Sequence, residues 1–218
     1  MIENKKFKMI ILAGGLGTRL RSAVPDLPKP MANIRNRPFL EYLMDYWIEQ
    51  GVQEFILSIG YLHNLITEHF GDSYKSFPVK YVIENNPLGT GGGLIMSAQG
   101  MTEPFLVVNG DTFIEVDLEK LSDFHFATKS EWTFSLFVAD KPDRYKRMKV
   151  ASDGRISSFQ TGLSQKGHLA NGGVYLINPS VIERFDYNPK TNLSLEDELL
   201  PNYVSAGGLI YGVKFTGK

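Results

Sequence analysis

Short apolar runs alternate with amphipathic stretches over the first half of the chain. Four mostly apolar runs have the length and composition of buried strands. These predicted strands cover residues 8–12, 54–59, 79–83 and 104–108. Between them, apolar positions recur at helical spacing. The predicted helices cover residues 38–50, 62–70 and 91–98. Gly51 follows the first helix, where a glycine commonly ends one. This alternation predicts an α/β fold with a parallel sheet and helices on both faces.

The pattern changes after about residue 130, where strand-like runs follow one another with short turns. These runs cover residues 132–138, 147–151, 156–159, 173–177 and 210–215. Ser194 begins a further predicted helix, with Asp197 as its capping-box partner three residues on. No linker composition separates the halves. We therefore expect a single domain over residues 1–218, with a Rossmann-like, mostly parallel sheet and extra mixed strands over its edge in the second half.

Composition excludes several classes of protein. The 218 residues carry 23 Lys and Arg against 24 Asp and Glu, so the net charge is −1 and no strongly basic nucleic-acid footprint exists. Cysteine is absent, which excludes disulfide scaffolds and thiol catalysis. No apolar run reaches the roughly 18 residues of a membrane span, and the N-terminal pattern does not match a signal peptide. We expect a cytoplasmic protein without nucleic-acid or membrane partners; a homo-oligomer remains open.

A glycine-rich segment follows the first predicted strand. It comprises Leu12, Ala13, Gly14, Gly15, Leu16, Gly17, Thr18, Arg19 and Leu20. Glycines at the carboxyl end of a parallel strand let backbone N–H groups approach phosphate oxygens. The segment matches neither the dinucleotide pattern G-x-G-x-x-G nor the Walker pattern. Lys29 lies between Pro28 and Pro30, which stiffen the backbone around it. An isolated Pro-Lys-Pro is usually a surface turn, but beside this loop it indicates a phosphate-binding cation.

The pair of motifs L-A-G-G-x-G-T-R-L and P-K-P resembles that of the sugar-1-phosphate nucleotidyltransferases, and the similarity runs through most of the chain. These enzymes join an NTP to a sugar 1-phosphate and release pyrophosphate. The resemblance implies a nucleotide-binding half over about 1–130 and a sugar-binding half over about 131–218. It also implies that the first loop binds the nucleotide through Leu12, Ala13, Gly14, Gly15, Gly17 and Thr18.

Two further motifs extend the resemblance on the nucleotide side. The sequence E-N-N-P-L-G-T-G-G resembles the family's second nucleotide loop, which implies nucleotide-binding roles for Glu84, Gly89 and Thr90. The alternative is a glycine-rich helix start. The fourth strand ends in N-G-D, which implies that Asn109 binds the nucleotide and that Asp111 binds Mg²⁺, a hard cation that prefers oxygen ligands. An Asn-Gly-Asp turn without any ligand is the alternative for that motif.

Three places in the sequence supply the residues that the resemblance implies in sugar binding. Gly110 of the N-G-D motif is implied in sugar binding, as are Asn171 and Gly172 of A-N-G-G-V-Y. Glu196 aligns with an acidic residue that contacts sugar hydroxyls, although a Glu in the first helical turn also favours the helix dipole. The four histidines show no metal-ligand spacing, and only His168 lies near this motif.

The implied reaction needs no general base, because a sugar phosphate is already anionic. Its difficulty is the attack of one anion on another, so catalysis should consist of positioning and charge stabilisation. The resemblance implies that Arg19 stabilises the departing pyrophosphate and that Lys29 binds at the α-phosphate. Mg²⁺ on Asp111 would bridge the α-phosphate and the attacking phosphate.

Guanine presents two neighbouring donors, N1–H and the 2-amino group, and the carboxylate of Glu84 could accept both. Backbone groups could do the same. Within the family the chain most resembles the D-glycero-D-manno-heptose 1-phosphate guanylyltransferases, which implies GTP and a manno-configured heptose 1-phosphate as substrates. Transfer of another nucleotide to another sugar, a glycosyltransferase and a non-catalytic nucleotide-sugar sensor are the alternatives. The Asp-x-Asp motif expected of such a glycosyltransferase is absent.

Three features depart from the family pattern. The usual R-Y-G is Arg144-Tyr145-Lys146 here, and the usual E-K-P is replaced at residues 159–162 by F-Q-T-G. Both changes fall in the predicted sugar half, so they bear on which sugar is bound. Relatives also continue into a D-I-G-x-P-E-D-Y segment whose Asp is a second Mg²⁺ ligand. The resemblance implies that this ligand lies in a C-terminal tail absent here or comes from elsewhere in the chain.

Overall fold

The computed structural model describes residues 6–15, 27–140, 145–160, 167–188 and 191–216. Its strands are β1 (Phe7–Leu12), β2 (Asn33–Ile34), β3 (Arg37–Pro38), β4 (Val52–Ile59), β5 (Ser73–Tyr74), β6 (Phe77–Ile83), β7 (Phe105–Asn109), β8 (Trp132–Ala139), β9 (Arg147–Val150), β10 (Ile156–Gln160), β11 (His168–Ile177) and β12 (Ile210–Lys214).

The α-helices are α1 (Phe39–Glu49), α2 (His63–Phe70), α3 (Gly89–Ser97), α4 (Leu118–Ala127), α5 (Pro179–Ile182) and α6 (Leu200–Ser205). A 3₁₀ turn covers Lys29–Met31, and a π-helical turn over Leu195–Leu199 leads directly into α6. No helix in the part of the chain that the structure describes is long and apolar enough to cross a membrane.

One sheet of eight strands organises the molecule, in the order β12-β8-β11-β7-β1-β4-β6-β5. Strand β1 pairs in parallel with β4 and β7, and β4 pairs in parallel with β6. Beyond β7 the sheet becomes mixed, because β11 is antiparallel to both β7 and β8. Among the described strands of the second half, β9 and β10 form a separate ribbon. The mixed strands thus mainly extend the sheet sideways rather than cover its edge.

Two apolar cores lie on opposite faces of this sheet. Alternation along β1 sends Met9 and Ile11 to one face and Ile10 to the other. The first core contains buried residues of α1, α2 and α4, whereas the second contains those of α3, α5 and α6. This arrangement confirms the prediction of an α/β fold with helices on both faces.

The predicted strands and the first three predicted helices lie within two residues of the observed bounds, except that β11 begins at His168 rather than at residue 173. The short strands β2, β3 and β5 are missing from the predictions. Gly51 has the positive φ of a helix-ending glycine. Helix α4 is missing from the predictions, although Asp117 caps it by accepting the backbone N–H of Lys120 at 2.9 Å. The helix after Ser194 is confirmed, but its first turn is π-helical.

The π-turn also alters the predicted capping box. The hydroxyl of Ser194 accepts the backbone N–H of Asp197, as the pattern requires. The reciprocal bond to the Ser194 N–H comes from Glu198 rather than from Asp197, because the wider turn brings the side chain four residues on into reach.

Tyr46 of α1 fixes the segment that follows β7. Its hydroxyl donates to the carbonyl of Val116 at 2.9 Å and accepts the N–H of the same residue at 2.8 Å. Val116 is fully buried, so this one hydroxyl satisfies both of its backbone groups. The ring of Tyr46 also packs edge-on against Phe113. Helix α1 therefore holds the loop that contains Asp111.

We predict that Tyr46→Phe lowers the free energy of unfolding by roughly 1–3 kcal/mol, because a buried donor and acceptor lose their partner. Tyr42→Phe is the matched control, since the Tyr42 hydroxyl donates to the carbonyl of Ile34, an exposed residue of the short strand β2. Urea unfolding of both variants measures the difference. Equal stabilities would refute this role of Tyr46.

Candidate active site

The first glycine loop and the N-G-D motif meet where two neighbouring parallel strands end. The N–H of Gly110 donates to the carbonyl of Leu12 at 2.9 Å. A Cβ at position 110 would lie 3.1 Å from both the Cβ of Ala13 and that same carbonyl oxygen. The close approach of the two loops therefore requires a small residue at position 110, and it places Asn109 and Asp111 beside the first loop.

Lys29 and Asp111 form an ion pair at this edge of the sheet, with 2.5 Å between Nζ and Oδ2. Lys29 begins the 3₁₀ turn, and the buried Pro28 and Pro30 anchor the backbone on both sides of it. Both charged side chains remain more than one third exposed, so the pair contributes little to stability. The fold thus brings together two predicted catalytic residues and leaves both accessible to a ligand.

The carboxylate of Glu84 lies between the two glycine-rich segments. A Cβ on Gly14 would be 2.3 Å from Oε1, and a Cβ on Gly93 would be 2.9 Å from the same oxygen. Oε1 accepts the hydroxyl of Ser58 at 2.9 Å, and Oε2 accepts the N–H of Leu88 at 3.2 Å. Burial raises the pKa of the Glu84 carboxyl, while these two hydrogen bonds oppose the rise.

A cavity of about 300 Å³ opens beside Glu84 at the carboxyl ends of β1, β4 and β6. Its lining comprises Gly14, Gly60, Tyr61, His63, Ile83, Glu84, Asn85 and Pro87. The predicted site residues include only Gly14 and Glu84 of this set. Gly60, Tyr61 and His63 are absent from the predictions. Their position just after β4 is the signal that could have found them, because α/β proteins bind ligands at such strand ends.

The second glycine segment is tied to the sugar half of the chain. The N–H groups of Gly91 and Gly92 both point to the carbonyl of Leu193, at 2.9 and 3.4 Å. The hydroxyl of Thr90 accepts the N–H of Leu195 and donates to Oε2 of Glu196 at 3.4 Å. The start of α3 is thus capped by protein groups rather than open to an anion.

Thr90 and Glu196, predicted for different substrates, are therefore direct neighbours. Burial raises the pKa of the Glu196 carboxyl, and the Thr90 hydroxyl partly offsets that rise. Gly89 precedes this contact with a φ of +74°, and a Cβ there would lie 2.5 Å from the carbonyl oxygen of Leu193. Glycine at 89 is thus needed for both backbone conformation and close packing.

Asn171 of the predicted sugar motif lies within β11, where the pairing of that strand with β8 shifts its register. Its Nδ2 donates to the hydroxyl of Tyr175 at 2.6 Å, and its Oδ1 accepts the N–H of Gly173 at 2.9 Å. A Cβ on Gly172 would lie 2.5 Å from the Ser135 hydroxyl, and one on Gly173 would lie 3.1 Å from Nδ2 of Asn109. The structure thus brings the same motif next to N-G-D through Gly173, which directly follows Gly172.

Part of the predicted site lies outside the described residues, namely Gly17, Thr18 and Arg19. Gly15 is described and exposed, and a Cβ at that position would have no neighbour within 4 Å among the described residues. His168 is buried, and its Nε2 lies 3.1 Å from the carbonyl oxygen of Tyr145. That contact gives His168 a structural role beside the sugar motif.

Comparison with known proteins shows the family and the fold of this chain. The Nucleotidyl transferase family matches residues 8–218, and the chain belongs to that family. Two relatives are D-glycero-alpha-D-manno-heptose 1-phosphate guanylyltransferases. The one from Campylobacter jejuni is 39% identical over 89% of this chain and 85% of its own. The one from Aneurinibacillus thermoaerophilus is 42% identical over 80% of this chain and 76% of its own.

One solved structure is similar over nearly the whole of this chain. HddC from Yersinia pseudotuberculosis superposes with a TM-score of 0.85 at 33% identity, covering 97% of this chain and 92% of its own. The same protein has also been solved in complex with GMP-PN, and that structure superposes with a TM-score of 0.83. The mostly parallel sheet with its mixed extension is thus the fold of a nucleotidyltransferase.

We predict that Gly14→Ala lowers the free energy of unfolding by roughly 1–3 kcal/mol, because the new methyl group collides with a carboxylate that two hydrogen bonds hold in place. Gly15→Ala is the matched control, since space is open there. Thermal unfolding without nucleotide measures both. Equal melting temperatures for the two variants would show that Glu84 does not occupy the space beside Gly14.

Proposed function

We propose that this nucleotidyltransferase joins GTP to D-glycero-D-manno-heptose 1-phosphate, forming a GDP-sugar and releasing pyrophosphate, for the synthesis of bacterial surface polysaccharide. The observation that carries the choice of base is the carboxylate of Glu84 at the wall of the cavity. The names of the two relatives support the same base and sugar. Both substrates are small anions. The proposed location of the protein is the cytoplasm, where GTP is available.

The hydrogen bonds of Glu84 leave room for a guanine. An ionised carboxylate offers about four acceptor sites, and among the described residues each oxygen of Glu84 has one protein donor. Each oxygen can therefore accept one further donor, and guanine presents N1–H and its 2-amino group side by side. Adenine offers no such pair of neighbouring donors on that edge. A carboxylate held in this way favours guanine.

The charged residues of the site serve the transfer step. An oxygen of the sugar phosphate attacks the α-phosphorus of GTP, and the bond to the β-phosphate breaks to release pyrophosphate. Lys29 binds phosphate oxygens at the reacting end, since its ammonium group lies at the edge where the glycine loop begins. Arg19 stabilises the charge on the departing pyrophosphate. Both contributions are electrostatic and need no proton transfer.

Asp111 is the proposed ligand for Mg²⁺, and members of this family generally use a divalent metal ion. Its carboxylate is exposed enough to meet a hydrated ion. No group of three or more metal-ligating side chains occurs within residues 6–15, 27–140, 145–160, 167–188 and 191–216. That fits Mg²⁺, which commonly takes one or two carboxylates and completes its shell with substrate phosphates and water. When bound, the ion would neutralise phosphate charge.

The sugar is held between the two halves of the site. Asn171, Gly172 and Gly110 lie on one side of this proposed subsite, and Glu196 supplies a carboxylate for sugar hydroxyls. Glu196 reaches the nucleotide segment through Thr90, so the two substrates share a common wall. The nucleotide half is proposed to cover about 1–130, with the sugar half following it in one domain.

Pyrophosphate release tests the proposal, with GTP, ATP, UTP, CTP and dTTP each combined with a panel of sugar 1-phosphates in the presence of Mg²⁺. We expect release with GTP and manno-configured heptose 1-phosphate. Release with a different pair would keep the reaction and replace the substrates. Bound nucleotide without release under any combination would favour a nucleotide-sugar sensor, and sugar transfer from a finished GDP-sugar would favour a glycosyltransferase.

We predict that Lys29→Ala and Asp111→Asn each lower kcat by roughly 10²–10³-fold, because each removes a charge-stabilising group from the transition state. Nucleotide affinity should fall much less, which equilibrium binding of a non-hydrolysable GTP analogue measures. Lys80→Ala is the control, since Lys80 is also an exposed lysine paired with a carboxylate, that of Glu54, on the sheet. If Lys29→Ala or Asp111→Asn turns over as fast as Lys80→Ala, the residue substituted in that variant has no catalytic role.

A further inference from the structure

Ser58 is a buried polar residue that neither the motifs nor the cavity lining includes. It is the penultimate residue of β4, and none of its surface is exposed. Its hydroxyl donates to Oε1 of Glu84 at 2.9 Å, and its carbonyl accepts the N–H of Ala13 at 2.8 Å. One residue therefore holds the first glycine loop through its backbone and the carboxylate beside that loop through its side chain.

Among the described residues, the Ser58 hydroxyl is the hydrogen-bond donor to Oε1 of Glu84. Gly14 and Gly93 approach this oxygen closely, but they do so with their Cα faces, which cannot donate a conventional hydrogen bond. The other oxygen, Oε2, has its own donor in the N–H of Leu88. The two bonds come from different sides of the site, so together they fix the rotation of the carboxylate plane.

We propose that Ser58 is a positioning residue for base selection: its hydroxyl orients the Glu84 carboxylate so that both oxygens face the two neighbouring donors of guanine. This inference rests on the proposed function, because it takes guanine as the base that Glu84 contacts. Ser58 itself does not touch the nucleotide and acts through Glu84.

Loss of the Ser58 hydroxyl should weaken recognition of the second guanine donor in particular. Without this bond the carboxylate can rotate about its own axis, and only the Leu88 N–H restrains it among the described donors. Inosine triphosphate lacks the 2-amino group, so comparing its KM with that of GTP isolates the contribution of that donor. We expect Ser58→Ala to raise KM for GTP by roughly tenfold, the effect of one hydrogen bond to a charged group. KM for inosine triphosphate and for the sugar phosphate should change much less.

Ser97→Ala is the matched control for loss of a buried serine hydroxyl. Ser97 lies in α3, is almost fully buried, and its Oγ has no hydrogen-bond partner among the described residues. The substitution removes the same group from the interior without touching Glu84. We expect its preference for GTP over inosine triphosphate to equal that of the wild-type protein.

A double-mutant cycle shows whether Ser58 acts through Glu84. Glu84→Gln replaces one acceptor oxygen by an amide donor, so that variant alone should lose most of the preference for GTP over inosine triphosphate. Adding Ser58→Ala to Glu84→Gln should then change the preference little further. Independent, additive losses would mean that Ser58 affects the site by another route and would overturn the proposal.

The pH dependence of kcat/KM is a second test, because a purely structural role of Ser58 would leave it unchanged. The Ser58 hydrogen bond holds the pKa of Glu84 below the value that burial alone would give. Ser58→Ala should raise that pKa further, and Glu84 accepts both donors only when ionised. The acid limb of kcat/KM for GTP should therefore shift to higher pH. Among the described residues, the other titratable groups near Glu84 are His63 and Tyr61 across the cavity and Tyr187, whose pKa is raised by burial and by the charge of Glu84.

Three results would decide the matter. Suppose that the wild-type protein prefers GTP and that Ser58→Ala changes neither this preference nor the acid limb of kcat/KM. That result would overturn the role of Ser58 and keep the proposed function. A wild-type protein that uses another base would overturn both. If Ser58→Ala fails to fold by circular dichroism, Ser58→Cys takes its place, because a thiol is a similar size and a weaker donor. An unchanged preference for GTP in Ser58→Cys would then overturn the proposal.

Discussion

The carboxylate of Glu84 is the contact on which the site's geometry depends. It joins the ends of three neighbouring parallel strands, because Gly14 follows β1, Ser58 lies at the end of β4 and Glu84 itself follows β6. It also contacts α3 through Gly93. A partly buried charge is costly unless it is hydrogen-bonded, and the two protein donors reduce that cost. The same two donors leave free acceptor sites, so one group both holds the loops and stays able to bind a ligand.

The catalytic roles proposed for Lys29 and Asp111 depend on where the backbone places their charges. Lys29 and Asp111 are 82 residues apart in sequence, and their side chains meet because the 3₁₀ turn and the end of β7 share one edge of the sheet. Their mutual attraction is weak at that exposure, so the surrounding packing sets their positions. Tyr46 contributes to that packing by anchoring Val116. A reaction between two anions gains from such groups being in place beforehand.

Much of the fold could be predicted from sequence because the parallel strands are short and apolar and the helices are amphipathic. Helix α4 was missed although the sequence carries a signal for it, because Leu118, Leu121 and Phe124 recur at helical spacing after the N-cap residue Asp117. The sideways extension by β11 was also not predicted. Strand pairing is a long-range property, and a pattern of short strands does not state whether they join a sheet or cover it. The π-turn after Ser194 has no local pattern that distinguishes it from an α-turn.

The class of protein could be inferred from the sequence, because its glycine loops, proline-flanked lysine and strand-ending aspartate are local motifs that resemble those of a known family. Only the tertiary structure showed that Glu84 contacts Ser58 and that Thr90 contacts Glu196. These pairs are distant in sequence, and no periodicity links them. Their contacts follow from the order in which the strands pair and from the hydrogen bonds of residues 193–196 to the start of α3, both of which are set by packing of the whole chain.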